Sequence, residues 1–205
     1  MKKSASLWRA AVLLALCASG CGPDRQWTTD SDEAVRWVDT GVRQWQRFYY
    51  TEALNSLENA VSADSQFAIA WGRMALVHLW ASNMPEARAL IGKAARLSAS
   101  ATPREQQLIR LWSYRINDER GKESALADSL ILLYPRNSEL YLFRGQCYEF
   151  ERNFEAAVGM YEEGLKYDTA FALGMMSLGY AHSILGDQNK AVEYMQRYIR
   201  MAPQE

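Results

Sequence analysis

A spacing of 34 residues recurs along this chain, and it limits the possible folds more than any other feature. Five pairs of identical residues lie 34 positions apart: Trp37 and Trp71, Ala53 and Ala87, Ala60 and Ala94, Gly145 and Gly179, Ala157 and Ala191. The distance from Gly41 to Gly145 is 104 positions, which is three periods and two additional residues. A repeat of this length indicates stacked supersecondary units. Five units then tile residues 34–67, 68–101, 102–137, 138–171 and 172–205.

The composition indicates that each unit is helical. The chain has 28 Ala and 22 Leu, but only 15 Val and Ile together, so unbranched helix formers outnumber the β-branched residues that strands prefer. Each unit except the third has a small residue in its first half and an alanine in its second half, where two helices can cross closely. The sequence therefore predicts five helical hairpins, with helix crossings at Gly41, Ala75, Gly145 and Gly179 on the first helices and Ala53, Ala87, Ala157 and Ala191 on the second.

The sequence also indicates where one helix begins and which repeat is irregular. Thr102 and Glu105 form the pattern of a capping box around Pro103, so a helix is expected to begin there. The third unit has Ile109 where the others have a small residue, and its turn contains the two additional residues. We therefore expect looser or shifted packing in the third unit.

These residues resemble the tetratricopeptide repeat (TPR) family. The segment from Leu185 to Val192 resembles the family's turn and second-helix start, and Trp37, Trp71 and Tyr141 match its first aromatic position. The resemblance implies an all-α, right-handed superhelical solenoid whose first helices line a concave groove. Residues at the family's groove positions are mostly apolar and include no Lys, Arg or Asn, so a clamp for a C-terminal carboxylate is not expected. They are Val38, Val42, Trp45, Leu76, Trp80, Leu142, Gln146, Phe150, Met176 and Tyr180.

The N-terminal segment has the pattern of a secretory signal. Lys2, Lys3 and Arg9 precede a short apolar run, and small residues then lead to Cys21. This ending resembles the lipobox of bacterial lipoproteins, which implies lipid attachment at Cys21 and retention at the periplasmic face of the outer membrane; an ordinary cleaved signal is the alternative. The expected domains are a signal peptide at 1–20, a tether at 21–33 and a TPR domain at 34–205.

The sequence favours a binding role over catalysis. A net charge of −1 disfavours nucleic acid as a partner. No phosphate loop or metal-binding pair is present, and His78 and His182 occupy equivalent repeat positions, as packing residues do. We therefore expect no cofactor, no metal and no enzymatic activity, but a scaffold that binds a helix or peptide of an envelope protein in its groove.

Three alternatives remain open at this stage. Residues 22–33 could fold back over part of the groove. An unrecognised envelope enzyme is another, less favoured, possibility. A homodimer is the third. Val192, Met195 and Ile199 would form an apolar face on the last helix, and this face is not covered by a further repeat in the sequence.

Overall fold

The computed structural model describes residues 27–201, and the signal segment, Cys21 and Pro203 lie outside this range. Within residues 27–201 there are ten α-helices of 13 or 14 residues and no strand. None of these helices is long and apolar enough to cross a bilayer. The helices are α1 Asp32–Trp45, α2 Tyr50–Ala63, α3 Ala68–Trp80, α4 Met84–Leu97, α5 Pro103–Ile116, α6 Arg120–Leu133, α7 Ser138–Phe150, α8 Phe154–Tyr167, α9 Ala172–Ile184 and α10 Gln188–Met201.

The helices pack as five successive hairpins, α1 with α2 through α9 with α10, and each hairpin contacts the next. This arrangement confirms the predicted all-α solenoid of five helix-turn-helix repeats. The third hairpin differs as expected, because α5 and α6 approach each other over a smaller part of their length than the other pairs. The capping box at the start of α5 is also present, with the Glu105 amide donating to the Thr102 hydroxyl and the Thr102 amide donating to Glu105.

Small residues allow the two helices of a hairpin to approach closely, as the repeat predicts. A Cβ atom at Gly41 would lie 2.8 Å from Cγ of Leu57, and one at Gly179 would lie 2.9 Å from Met195. At Gly145 the Tyr161 ring occupies the space that a Cβ would need. The hydrogen atom of glycine is therefore a packing requirement at these crossings.

The segment before α1 lies against the solenoid. The Thr28 amide donates to the Glu105 carboxylate at 3.0 Å, and the Thr29 hydroxyl donates to Asp64 at 2.5 Å. The ring of Trp27 packs edge-on against Phe67 with 6.3 Å between ring centroids. Residues 27–29 thus connect the loop between the first two hairpins with the start of the third.

The last helix reaches back to the first hairpin. The centroid of the Tyr198 ring on α10 is 6.3 Å from that of Phe48, in the turn between α1 and α2. Phe48 also contacts Tyr50 at 5.8 Å and Trp80 at 6.0 Å, both edge-on. An aromatic cluster therefore joins the first, second and fifth hairpins.

Candidate partner-binding site

The first helices of the hairpins converge on the inner side of the solenoid. Arg73 of α3 and Glu139 of α7 form a buried ion pair, with Nη2 donating to Oε2 at 2.8 Å, although the two residues lie two hairpins apart. The Arg73 guanidinium also lies 4.5 Å from the ring centroid of Trp112 on α5, a side chain with no exposed surface. The centre of the expected groove is therefore filled by side chains.

This convergence corrects part of the predicted groove. Four of the ten predicted lining residues are buried: Val38, Trp45, Leu76 and Leu142, at 2%, 2%, 0% and 0% exposure. Trp45, Leu76 and Leu142 stabilise the solenoid and present no surface to a partner, whereas Val38 lines the second cavity described below.

The other six predicted groove residues differ in their surroundings. Phe150 and Tyr180 are exposed, and Val42, Trp80 and Met176 are half-buried. Gln146 is buried, but it lies at a cavity wall and accepts a hydrogen bond from Arg115. Tyr180 packs edge-on against Phe154 and lines neither of the two cavities described below.

An open cavity of about 580 Å³ remains on the inner side, between the turn after α3, the turn after α5 and the end of α7. We call it the inner cavity. It includes three of the predicted groove residues, Trp80, Gln146 and Phe150. Its apolar walls are formed by Leu79, Trp80, Met84, Ile116 and Phe150.

Most charged side chains of the inner cavity are paired with each other. Arg115 donates from Nε to Glu123 at 2.7 Å and from Nη2 to the Phe143 carbonyl at 3.2 Å. Arg120 pairs with Asp118 at 2.6 Å. Two of the three acidic side chains at the cavity, Glu123 and Asp118, are therefore paired with an arginine.

Glu149 is the third acidic side chain, and its situation is different. It is half-buried, its Oε1 atom is buried, its carboxyl lies near the Tyr161 hydroxyl, and within residues 27–201 it forms no ion pair. Burial raises the pKa of the Glu149 carboxyl, against the opposing effects of the Tyr161 hydroxyl and the Arg115 guanidinium. The inner cavity therefore contains a carboxylate that forms no salt bridge within residues 27–201, although the Arg115 guanidinium acts on it from a distance.

A second cavity, of about 620 Å³, has Arg73 and Glu139 in its wall and contains the predicted groove residues Val38 and Val42. Trp27 forms another part of its wall, with the Arg104 guanidinium 5.6 Å from its ring centroid. The described part of the expected tether thus does cover a portion of the inner surface. The described residues of the tether do not line the inner cavity.

The predicted C-terminal interface is only partly a surface. Val192 and Ile199 are each 55% exposed on α10. Met195 instead points at α9, where its side chain fills the space above Gly179, so it does not belong with the other two.

A packing role also fits His182, which is buried and stacks on Tyr194 with 5.7 Å between ring centroids.

Sequence reasoning missed the residues that give the inner surface its polar character. Glu149 occupies the twelfth position of its repeat, next to the predicted Phe150, but it was not selected, and Arg115 lies outside the family's groove positions. The Arg73–Glu139 pair joins positions 66 residues apart, so only the curvature of the solenoid brings them together.

The family model of the tetratricopeptide repeat matches residues 138–171 and 174–205. No curated protein sequence matches the chain significantly. Among solved structures, a thermophilic TPR protein of Thermus thermophilus aligns with a TM-score of 0.59, 18% identity, and coverage of 84% of this chain and 93% of its own. MamA from Desulfovibrio magneticus RS-1 aligns with a TM-score of 0.47 and 13% identity, and the alignment covers 84% of this chain and 97% of MamA. YrrB, a TPR protein with an unusual peptide-binding site, aligns with a TM-score of 0.46 and 16% identity, and the alignment covers 84% of this chain and 88% of YrrB.

The matched ranges correspond to the hairpins α7–α8 and α9–α10, and the likeness to the Thermus protein extends over most of the solenoid. The last two hairpins are therefore tetratricopeptide repeats, and the chain has the fold of an all-α TPR solenoid.

Proposed function

We propose that this protein is a non-catalytic scaffold that binds a segment of a protein partner in the inner cavity. The observation that carries this proposal is the cavity itself, about 580 Å³ in volume, with aromatic and aliphatic walls. Concave sites of this size that combine apolar walls with polar groups are typical of binding sites. The filled centre of the groove restricts the contact to a short segment.

The first prediction concerns Trp80, which is half-buried and lines the inner cavity. Buried aromatic anchors commonly contribute about 2 kcal/mol or more to an interface, which is roughly a 30-fold change in affinity. We expect Trp80→Ala to weaken binding of peptides selected from a random library on the full protein, by about this factor in calorimetric titration.

Tyr180→Ala is the matched control, because Tyr180 is an exposed aromatic residue outside the inner cavity. It should leave peptide affinity unchanged. The proposal fails if no peptide is selected, or if the selected peptides bind equally well to a folded Trp80→Ala protein. Trp45→Ala is unsuitable for this test because Trp45 is a core residue.

We further propose that the scaffold is held at the bacterial cell envelope by lipid on Cys21. The support is the sequence pattern, in which a basic start, a short apolar run and small residues precede the cysteine. Acylation would hold the protein at the periplasmic face of the outer membrane without a spanning helix.

The second prediction tests this anchor. Cys21→Ser should abolish incorporation of a labelled fatty acid and release the protein from the membrane fraction, whereas Cys17→Ser should change neither. Label that persists in the Cys21→Ser protein would contradict the proposed anchor and leave the binding role untouched.

A further inference from the structure

We infer that the inner cavity selects its partner by a basic side chain, Lys or Arg, whose cation pairs with Glu149. This inference rests on the proposed function, because it names the chemistry of the segment that would occupy the inner cavity. Neither the sequence pattern of the repeats nor the likeness to other solenoids contains this preference.

The first support is the state of the acidic groups at the cavity. Glu123 is paired with Arg115, and Asp118 is paired with Arg120. Glu149 has no ion-pair partner in the part of the chain that the structure describes. A half-buried carboxylate is costly without a salt bridge, and a cation that enters the cavity and pairs with it would offset this cost.

The cations already at the cavity do not fill this role. The Arg115 guanidinium is committed to Glu123, Gln146 and the Phe143 carbonyl. Arg120 lies over the Phe150 ring, with 3.3 Å from Cζ to the ring centroid, in addition to its pair with Asp118. Arg88 is exposed to solvent, and it needs no acidic partner.

The walls of the inner cavity fit a long basic side chain. Lys and Arg carry three or four methylene groups that pack on apolar surface while the charged end reaches a polar group. Leu79, Trp80 and Met84 provide apolar surface in the same cavity as Glu149. A short acidic side chain would gain neither the apolar contact nor a free cation in the buried part of the site.

The test uses a library of random twelve-residue peptides, displayed on phage and selected on the immobilised full-length protein and on its Glu149→Gln variant. Glutamine keeps the size of the side chain and removes its charge. We expect peptides selected on the unmodified protein to share a Lys or Arg at one position, and those selected on Glu149→Gln to lack it.

Titrations then measure directly the interaction between the basic side chain of the peptide and Glu149. For a selected peptide, replacing its lysine by norleucine, or its arginine by citrulline, should lower affinity at least tenfold for the unmodified protein and less than twofold for Glu149→Gln. Glu162→Gln is the matched control, because it removes a carboxylate from an exposed position on α8 outside the inner cavity, and it should not weaken binding. Circular dichroism must show native helicity for each variant.

The outcomes separate the two proposals. Selected peptides that depend on Trp80 but show no common basic residue, or that bind equally well to Glu149→Gln, would overturn the basic-side-chain inference and keep the scaffold function. Failure to select any peptide that depends on Trp80 would overturn the scaffold function and, with it, the inference.

Discussion

A carboxylate that is kept half-buried and unpaired reduces the stability of the fold. Because burial raises the pKa of Glu149, the folded state binds this proton more tightly than the unfolded state does. The cost is therefore present when Glu149 is ionised, at pH values above its raised pKa. This cost disappears as the pH falls and Glu149 becomes protonated in both the folded and the unfolded state.

The third prediction follows at this residue. Glu149→Gln should raise the melting temperature at pH 7.5, and this advantage should diminish as the pH is lowered through the pKa of Glu149. Glu162→Gln, at an exposed position on α8, is the control and should show no such gain. Equal melting temperatures for the Glu149→Gln and unmodified proteins across this pH range would show that the carboxylate is not costly.

Residue-scale prediction from sequence succeeded where the cause is local. The Thr102–Glu105 capping box depends on positions three residues apart and was predicted correctly. The exposure of Trp45 and Leu76 was predicted wrongly, because it depends on how far the solenoid curves. Glu149 was missed because the depth at which a polar residue lies is set by helices that are distant in sequence.

At the scale of single elements, the crossings between paired helices depend on residue size. Gly145 faces the ring of Tyr161, which is buried at 1% exposure and occupies the space that a Cβ would need. Gly159, in the middle of α8, has open space where a Cβ would lie. The same substitution should therefore have opposite effects at the two positions.

The fourth prediction compares these glycines. Gly145→Ala should reduce the free energy of unfolding by about 1–3 kcal/mol, the usual cost of overpacking a core. Gly159→Ala should increase it by about 0.5–1 kcal/mol, because alanine loses less entropy in a helix. Urea denaturation of both variants gives the two values, and a stabilised Gly145→Ala protein would contradict the close crossing.

The helices themselves were well predicted because the 34-residue period and the helix formers act within one hairpin. The looser third hairpin was also expected from Ile109 and the longer turn. The sequence did not indicate that the first helices would close the centre of the groove, since Arg73 and Glu139 meet only after three hairpins have stacked.

For the whole molecule, the aromatic cluster around Phe48 connects the two ends of the solenoid. Phe48 has a positive φ of 64°, at the turn position where the fifth hairpin has Gly186 with φ 83°. This backbone conformation costs a bulky residue about 1–2 kcal/mol, so it persists only if the surroundings hold it. The rings of Tyr50, Trp80 and Tyr198 surround Phe48 and offset this cost.

The fifth prediction concerns this closure. Tyr198→Ala should lower the free energy of unfolding by about 0.5–1.5 kcal/mol through loss of the aromatic contact, in addition to lost buried area. The first and fifth hairpins should then separate, which small-angle X-ray scattering would detect as a larger radius of gyration. Tyr180→Ala, on the neighbouring helix but outside the cluster, should leave the radius unchanged. An identical radius for Tyr198→Ala would show that stacking alone sets the curvature.

The contacts of the segment before α1 determine how far the body can move from a membrane anchor. Trp27 and Thr28 are fixed to the solenoid by Phe67 and Glu105. With lipid on Cys21, only six residue steps would separate the acyl chains from the folded body, a span of about 20 Å at full extension. The solenoid would then stay close to the bilayer, and the partners within reach would be those that present a segment near the lipid surface.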